Sequence, residues 1–170
     1  GHIIECKSVQ RIIKNIYGIE GKVSYPTFNN NFNIKKVRKK ELLKYNIFKN
    51  FILGSGRIIR QKRFDYLIKA FAGLQNSDLQ LVLAGVYDKN EKRNLEDLAR
   101  RYQKKVLFLG SLDLEELIKL YNLAELIVLT CPKEWFGIVP IESMACGTPV
   151  VAWKDNMGPE ESIIEGANGF

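Results

Sequence analysis

A chain of 170 residues with 46% hydrophobic and 26% charged side chains has room for one sizeable core and belongs with ordinary globular domains. Its apolar runs fall far short of the roughly 18–20 residues that cross a bilayer, and no secretory leader is visible, so the membrane-spanning and secreted classes are set aside as expectations. The net charge of +7 is uneven, because residues 1–50 hold 11 Lys/Arg against 3 Asp/Glu whereas residues 51–170 hold 15 against 16, so contact with an anionic partner is expected through the first segment.

That segment opens with a helical pattern over residues 5–17, with Val9, Ile12, Ile13 and Ile16 on one face and Gly18 as its stop. Lys22–Tyr25 reads as a short strand ended by Pro26, and Asn29–Asn33 as a polar loop. Residues 36–45 read as a basic helix with Val37, Leu42 and Leu43 inward. The run Lys35-Lys36-Val37-Arg38-Lys39-Lys40 lacks the interleaved aromatic residues of a nucleic-acid platform, so no nucleic-acid partner is expected. A solvated face or an anionic membrane surface fits it better.

From residue 50 strands and helices alternate. Strands are predicted at Phe51–Gly56, Leu79–Gly85, Val106–Leu109, Leu126–Leu129 and Pro149–Trp153. Helices are predicted at Arg63–Leu74, Glu91–Gln103, Asp113–Asn122, Ile138–Cys146 and Pro159–Ile164, with Asp113 as an N-cap and Gly147 as a C-terminal stop. Short connections and continuously apolar strands predict an α/β fold, a Rossmann-like parallel sheet with helices on both faces. Cys6, Cys131 and Cys146 have no metal-site spacing and read as free thiols of a reducing compartment, so no metal and no disulfide is expected.

Three stretches offer chemistry. Gly54-Ser55-Gly56-Arg57, followed by Arg60, Lys62 and Arg63, ends a strand in glycines and cations, either a phosphate grip or a solvated loop. Glu134 and Glu142 flank Gly137, which leaves the backbone bare at a helix N-terminus that favours anions. Such a pair is open to three readings: incidental acids on a surface helix, a glycoside-hydrolysing couple, or groups that hold sugar hydroxyls. Cations on a neighbouring strand end favour a phosphorylated sugar. The third stretch, Asp155–Glu161 with Gly158, is another loop-to-helix junction.

These residues together resemble the donor-binding half of retaining glycosyltransferases of family 4, which have the GT-B fold. The resemblance rests on Gly56-Arg57 with Lys62, the strands Leu81–Gly85 and Val106–Gly110, Glu116 and Tyr121, Cys131–Gly137, Glu142–Val150 and Gly158–Glu161. Glu134 and Glu142 match the family's E-x7-E signature. The resemblance implies that Arg57 and Lys62 bind a nucleotide-sugar diphosphate, that Glu134 holds the donor sugar, and that Phe136, Gly137 and Ile138 offer backbone N–H groups. It further implies that Glu142 holds the ribose, with Gly56, Gly158 and Glu161 completing the donor site. No cofactor or metal is implied. Residues 1–49 would be an interdomain helix, strand and basic linker, and 50–170 the nucleotide-sugar domain, shortened at its C-terminus. The N-terminal acceptor domain would be a partner outside this chain, leaving the fragment alone inactive. The alternative is a non-enzymatic nucleotide-binding module of the same fold. The expected location is cytoplasmic, with peripheral contact at the inner membrane surface. One departure is Arg63, where the family carries glycine after the lysine, an added charge expected to narrow the entrance.

Overall fold

A computed structural model describes residues 1–75, 78–154 and 156–170. The main sheet holds β3 (Asn50–Ser55), β4 (Leu79–Ala84), β5 (Val106–Gly110), β6 (Leu126–Leu129) and β7 (Val150–Ala152). All its pairings are parallel and the order is β5-β4-β3-β6-β7. Ahead of it, β1 (His2–Ile4), α1 (Lys7–Tyr17) and β2 (Gly21–Val23) form a small parallel unit.

The strands are apolar on both sides because both faces are covered. On one face α2 (Phe64–Gly73) and α3 (Lys89–Arg101) bury Phe64, Leu67, Ile68, Phe71, Leu95 and Ala99 against Ile52, Leu81 and Leu83. On the other, α4 (Leu114–Leu123) and α5 (Ile138–Ala145) pack over Leu53, Val82, Ile127 and Val150. Each fully buried Leu, Ile or Val contributes about 1.5–3 kcal/mol. Asp113 caps α4 as predicted, accepting from the Glu116 N–H at 2.8 Å. Asp88, unassigned in the sequence reading, caps α3 in the same way through the Glu91 N–H.

The first 49 residues depart furthest from expectation. The basic stretch forms a 3-10 helix at Lys39–Tyr45 and not an α-helix. With three residues per turn only one apolar position faces inward, so Leu42 is buried while Leu43 is 48% exposed. Phe32, Leu42 and Ile47 belong to the main core, which makes this stretch a covering layer of the sheet as well as a charged surface. In α1, Val9 is buried, but Ile12 and Ile16 are exposed. Residues 168–170 continue beside β7, where Phe170 donates to the Val150 carbonyl at 2.8 Å and accepts from Ala152.

Candidate functional site

The strand order reverses beside β3: β4 and β5 lie to one side, β6 and β7 to the other. Loops leaving β3 and β6 therefore diverge, and the crevice between them at the carboxyl ends is where an open parallel sheet binds ligands. A cavity of about 370 Å³ lies there, lined by Ser55, Gly56 and Lys62 from the β3 side and by Thr130 through Val139 from the β6 side, apart from Pro132 and Lys133.

After β3 the chain passes Gly56 and the exposed Arg57, then buries Ile58. A single 3-10 turn, Arg60–Lys62, swings Lys62 back over the cavity. The Thr130 hydroxyl donates to the Lys62 carbonyl at 2.8 Å, tying the two loops together. Arg57, next to the lining residue Gly56 in the chain, is exposed and does not line the cavity. Arg63 does not crowd the entrance as expected. Its guanidinium lies 3.9 Å from the Tyr66 ring centroid and binds both oxygens of Asp65, at 2.9 and 3.2 Å. Its backbone sits in the left-handed region at φ +53°, a conformation that suits glycine and costs other residues about 1–2 kcal/mol.

After β6 the loop turns through Gly137, whose φ of +77° makes it a left-handed N-cap for α5. Gly137 has no side chain to cap the helix, so the first-turn N–H groups lack a side-chain partner where Ile138 and Val139 line the cavity. Pro140, inside the first turn, lacks only an N–H that has no helical partner in any case. Glu134 lines the cavity and forms an ion pair with Lys62, both side chains about three-quarters buried. Asn156, 1% exposed, accepts from the Glu134 N–H at 2.8 Å and fixes that loop from behind. Cys131 also lines the cavity, but burial pushes its thiol up, so it stays protonated and acts as packing.

Glu142 sits one turn into α5, half-buried. Burial pushes its carboxyl up, while the Tyr121 hydroxyl, donating at 3.1 Å, pulls it back. Gly158 and Glu161 lie elsewhere. Together with Phe136, Tyr25 and Phe28 they line a second, apolar cavity behind the loop. A Cβ on Gly158 would stand 2.3 Å from the Phe136 Cα, so this glycine lets α6 (Gly158–Ser162) press against the loop. The Glu161 carboxylate accepts from the Ser8 N–H at 2.6 Å, the Lys7 N–H at 3.2 Å and the Tyr25 hydroxyl at 2.9 Å. It caps α1 from another element, and hydrogen bonds outweigh burial in holding it below the usual carboxylate range. Asp155 lies outside the described residues.

The structure thus gathers Gly56, Lys62, Glu134, Phe136, Gly137 and Ile138 in one cavity, whereas Arg57 and Glu142 do not line it. Sequence reasoning assigned no work to Ser55, Thr130 or Asn156. Only their position beside the assigned residues hinted at a role. Among the described residues no helix is long and apolar enough to cross a membrane, and no three His, Cys, Asp or Glu side chains come together as a metal site would need.

The comparisons with known proteins bear on the family and the fold. The family profile described as glycosyl transferases group 1 matches residues 33–170. An α-1,3/1,6-mannosyltransferase of Neurospora crassa is 37% identical over 150 residues, covering 70% of this chain and 31% of its own length. An uncharacterized glycosyltransferase of Methanocaldococcus jannaschii is 43% identical over 103 residues, covering 59% of this chain and 26% of its own. The crystal structure of Anabaena HepE in complex with UDP and glucose superposes with a TM-score of 0.89 at 27% identity, covering 99% of this chain and 48% of that one. The chain therefore spans less than half the length of these relatives and corresponds to the C-terminal half of their GT-B fold. On the profile match and the shared architecture together, this chain belongs to the group 1 glycosyl transferases.

Proposed function

We propose that the chain is the donor-binding half of a retaining glycosyltransferase that moves a hexose from a nucleoside diphosphate to an acceptor hydroxyl. The observation that carries this is the meeting of Lys62 and Glu134 across the β3/β6 crevice, beside the uncapped N-terminus of α5. A cation and free N–H groups suit a diphosphate, and a carboxylate within reach suits sugar hydroxyls. Arg57 and Lys62 take the phosphates, Glu134 the sugar and Glu142 the ribose. The UDP and glucose held by the Anabaena relative support a uridine donor.

In the reaction the acceptor oxygen bonds to the anomeric carbon as the bond from that carbon to the β-phosphate oxygen breaks. The electron pair leaves with the nucleoside diphosphate. The acceptor proton passes to the departing phosphate, and attack comes on the face being vacated. Fixed cations and helix N–H groups meet the charge that develops on the leaving group without reorganising, so a divalent metal is not required by this scheme. The acceptor domain lies outside this chain, and the chain alone binds donor without transferring it.

The basic run 35–40 fits an anionic membrane surface at the cytoplasmic side. It precedes β3, so that contact lies towards the end of the sheet opposite the donor cavity and serves as an anchor. Calorimetry of this chain with UDP, GDP and UDP-glucose tests the central reading. Micromolar to low-millimolar binding of one of them, lost in Lys62→Ala, is expected. Absence of binding by all three at several millimolar overturns it.

A further inference from the structure

We propose that Tyr121 is a positioning residue of the donor site, whose hydroxyl holds the Glu142 carboxylate in register with the turn at Ser55–Gly56. The inference rests on the donor-binding reading above and adds a residue to it.

The geometry fixes the direction of the hydrogen bonds. The Tyr121 Oη lies 3.1 Å from Glu142 Oε2 and 2.8 Å from Ser55 Oγ. A phenol has one proton, and an ionised carboxylate only accepts. Tyr121 therefore donates to Glu142 and accepts from Ser55. Ser55 is the last residue of β3 and lines the cavity, whereas Glu142 belongs to the helix that follows β6. One hydroxyl thus bridges the two sides of the crevice, on the core side of the Lys62–Glu134 pair.

Tyr121 is itself immobile. It is fully buried, its ring centroid is 5.4 Å from that of Phe32, and its backbone carbonyl accepts from the Thr148 hydroxyl. Phenylalanine would fill the same space without the need to satisfy a buried polar atom. The hydroxyl takes one lone pair of Glu142 and leaves the others for a ligand. It also favours the ionised form against the burial that opposes it. The titratable groups around Glu142 are Tyr121 from α4 and Cys146 one turn further along α5.

The test compares wild type, Tyr121→Phe and Ser55→Ala. Carboxyl 13C NMR titration, with Glu142 assigned through Glu142→Gln, reads the hydrogen bond without ligand. Calorimetry with UDP and 2′,3′-dideoxy-UDP reads its use. In Tyr121→Phe the Glu142 titration is expected to move to higher pH, UDP affinity at pH 7 to fall about 5-fold, and dideoxy-UDP affinity to stay the same. Ser55→Ala is expected to give a smaller change in the same direction and guards against misfolding of the first variant. Equal losses for both nucleotides, or an unmoved Glu142 titration, overturn the proposal. Wild type binding neither nucleotide overturns the donor reading and the proposal with it. Wild type binding both alike removes Glu142 from the ribose and, with it, the role given to Tyr121.

Discussion

Lys62 and Glu134, 72 residues apart in the chain, are ion-paired across the crevice that the reversal of strand order opens. Each belongs to a loop from a different side of that reversal, and the Thr130–Lys62 hydrogen bond holds the loops together. The pair neutralises two largely buried charges that would otherwise be costly to leave alone. A ligand that displaces it must therefore supply both an anion for Lys62 and donors for Glu134, as a sugar diphosphate does.

That requirement separates the two residues experimentally. Lys62→Ala removes the cation and leaves an unpaired carboxylate facing the phosphates. Its affinity for UDP and for UDP-glucose should fall by about 10-fold or more, equivalent to 1.4 kcal/mol. Glu134→Gln frees Lys62 and removes a negative charge. UDP affinity should hold or rise, while the extra affinity conferred by glucose is lost. Calorimetry on both variants with both ligands checks this, and parallel losses in all four combinations would count against separate roles.

Gly158 shapes the site without lining its cavity. A Cβ there would fall 2.3 Å from both the Trp135 carbonyl oxygen and the Phe136 Cα. These are backbone atoms and cannot swing aside. Gly158→Ala should cost more than about 2 kcal/mol of stability and weaken UDP binding by displacing the 134–137 loop. Urea unfolding and calorimetry on the same preparation measure the two effects.

Glu161 was expected in the donor site, yet its carboxylate is engaged by Lys7, Ser8 and Tyr25. Glu161→Ala should lower stability by about 1 kcal/mol, as loss of a helix N-cap does. It should change UDP affinity by less than about 2-fold. A large fall in affinity with unchanged stability would return Glu161 to the ligand.

The parallel sheet and its helices were legible because hydrophobic period and turn residues act locally, as in the capped start of α4 at Asp113. Spacing alone left the two carboxylates open to several readings, and only the resemblance set Glu134 beside the cationic loop; Lys62 pairs with Glu134, whereas Glu142 is bonded to Tyr121. What stayed hidden depends on tertiary distance. Tyr121 counts towards the resemblance but carries no role there, and only packing shows its hydroxyl between Ser55 and Glu142. Arg63 reads as a charge at the entrance, and only Asp65 and Tyr66 turn it away. Leu42 is buried as its helical pattern predicted, but Phe32 and Ile47 lie outside any predicted element and only packing shows them in the main core.

Glu116 ties the basic segment to α4, and the contact carries a pH signature. Glu116 is buried on α4 and accepts from Lys119 at 2.8 Å, Lys44 at 2.9 Å and Tyr45 at 3.1 Å. The Lys119 hydrogen bond, joined by those of Lys44 and Tyr45, outweighs burial and holds its carboxyl down at about 2, below an ordinary 4.5. A depressed carboxylate stabilises the fold above its unfolded-state value and loses that contribution as pH falls through the folded one. The window therefore runs from about pH 4.5 down to 2. Between pH 6 and pH 3 the wild type should lose about 2 kcal/mol through this group alone. Glu116→Gln should be less stable at pH 6 and show a correspondingly shallower loss on acidification. Urea unfolding of both proteins at pH 6 and pH 3 measures the difference. Parallel losses in the two would show that Lys44, Tyr45 and Lys119 do not hold Glu116 in its charged form.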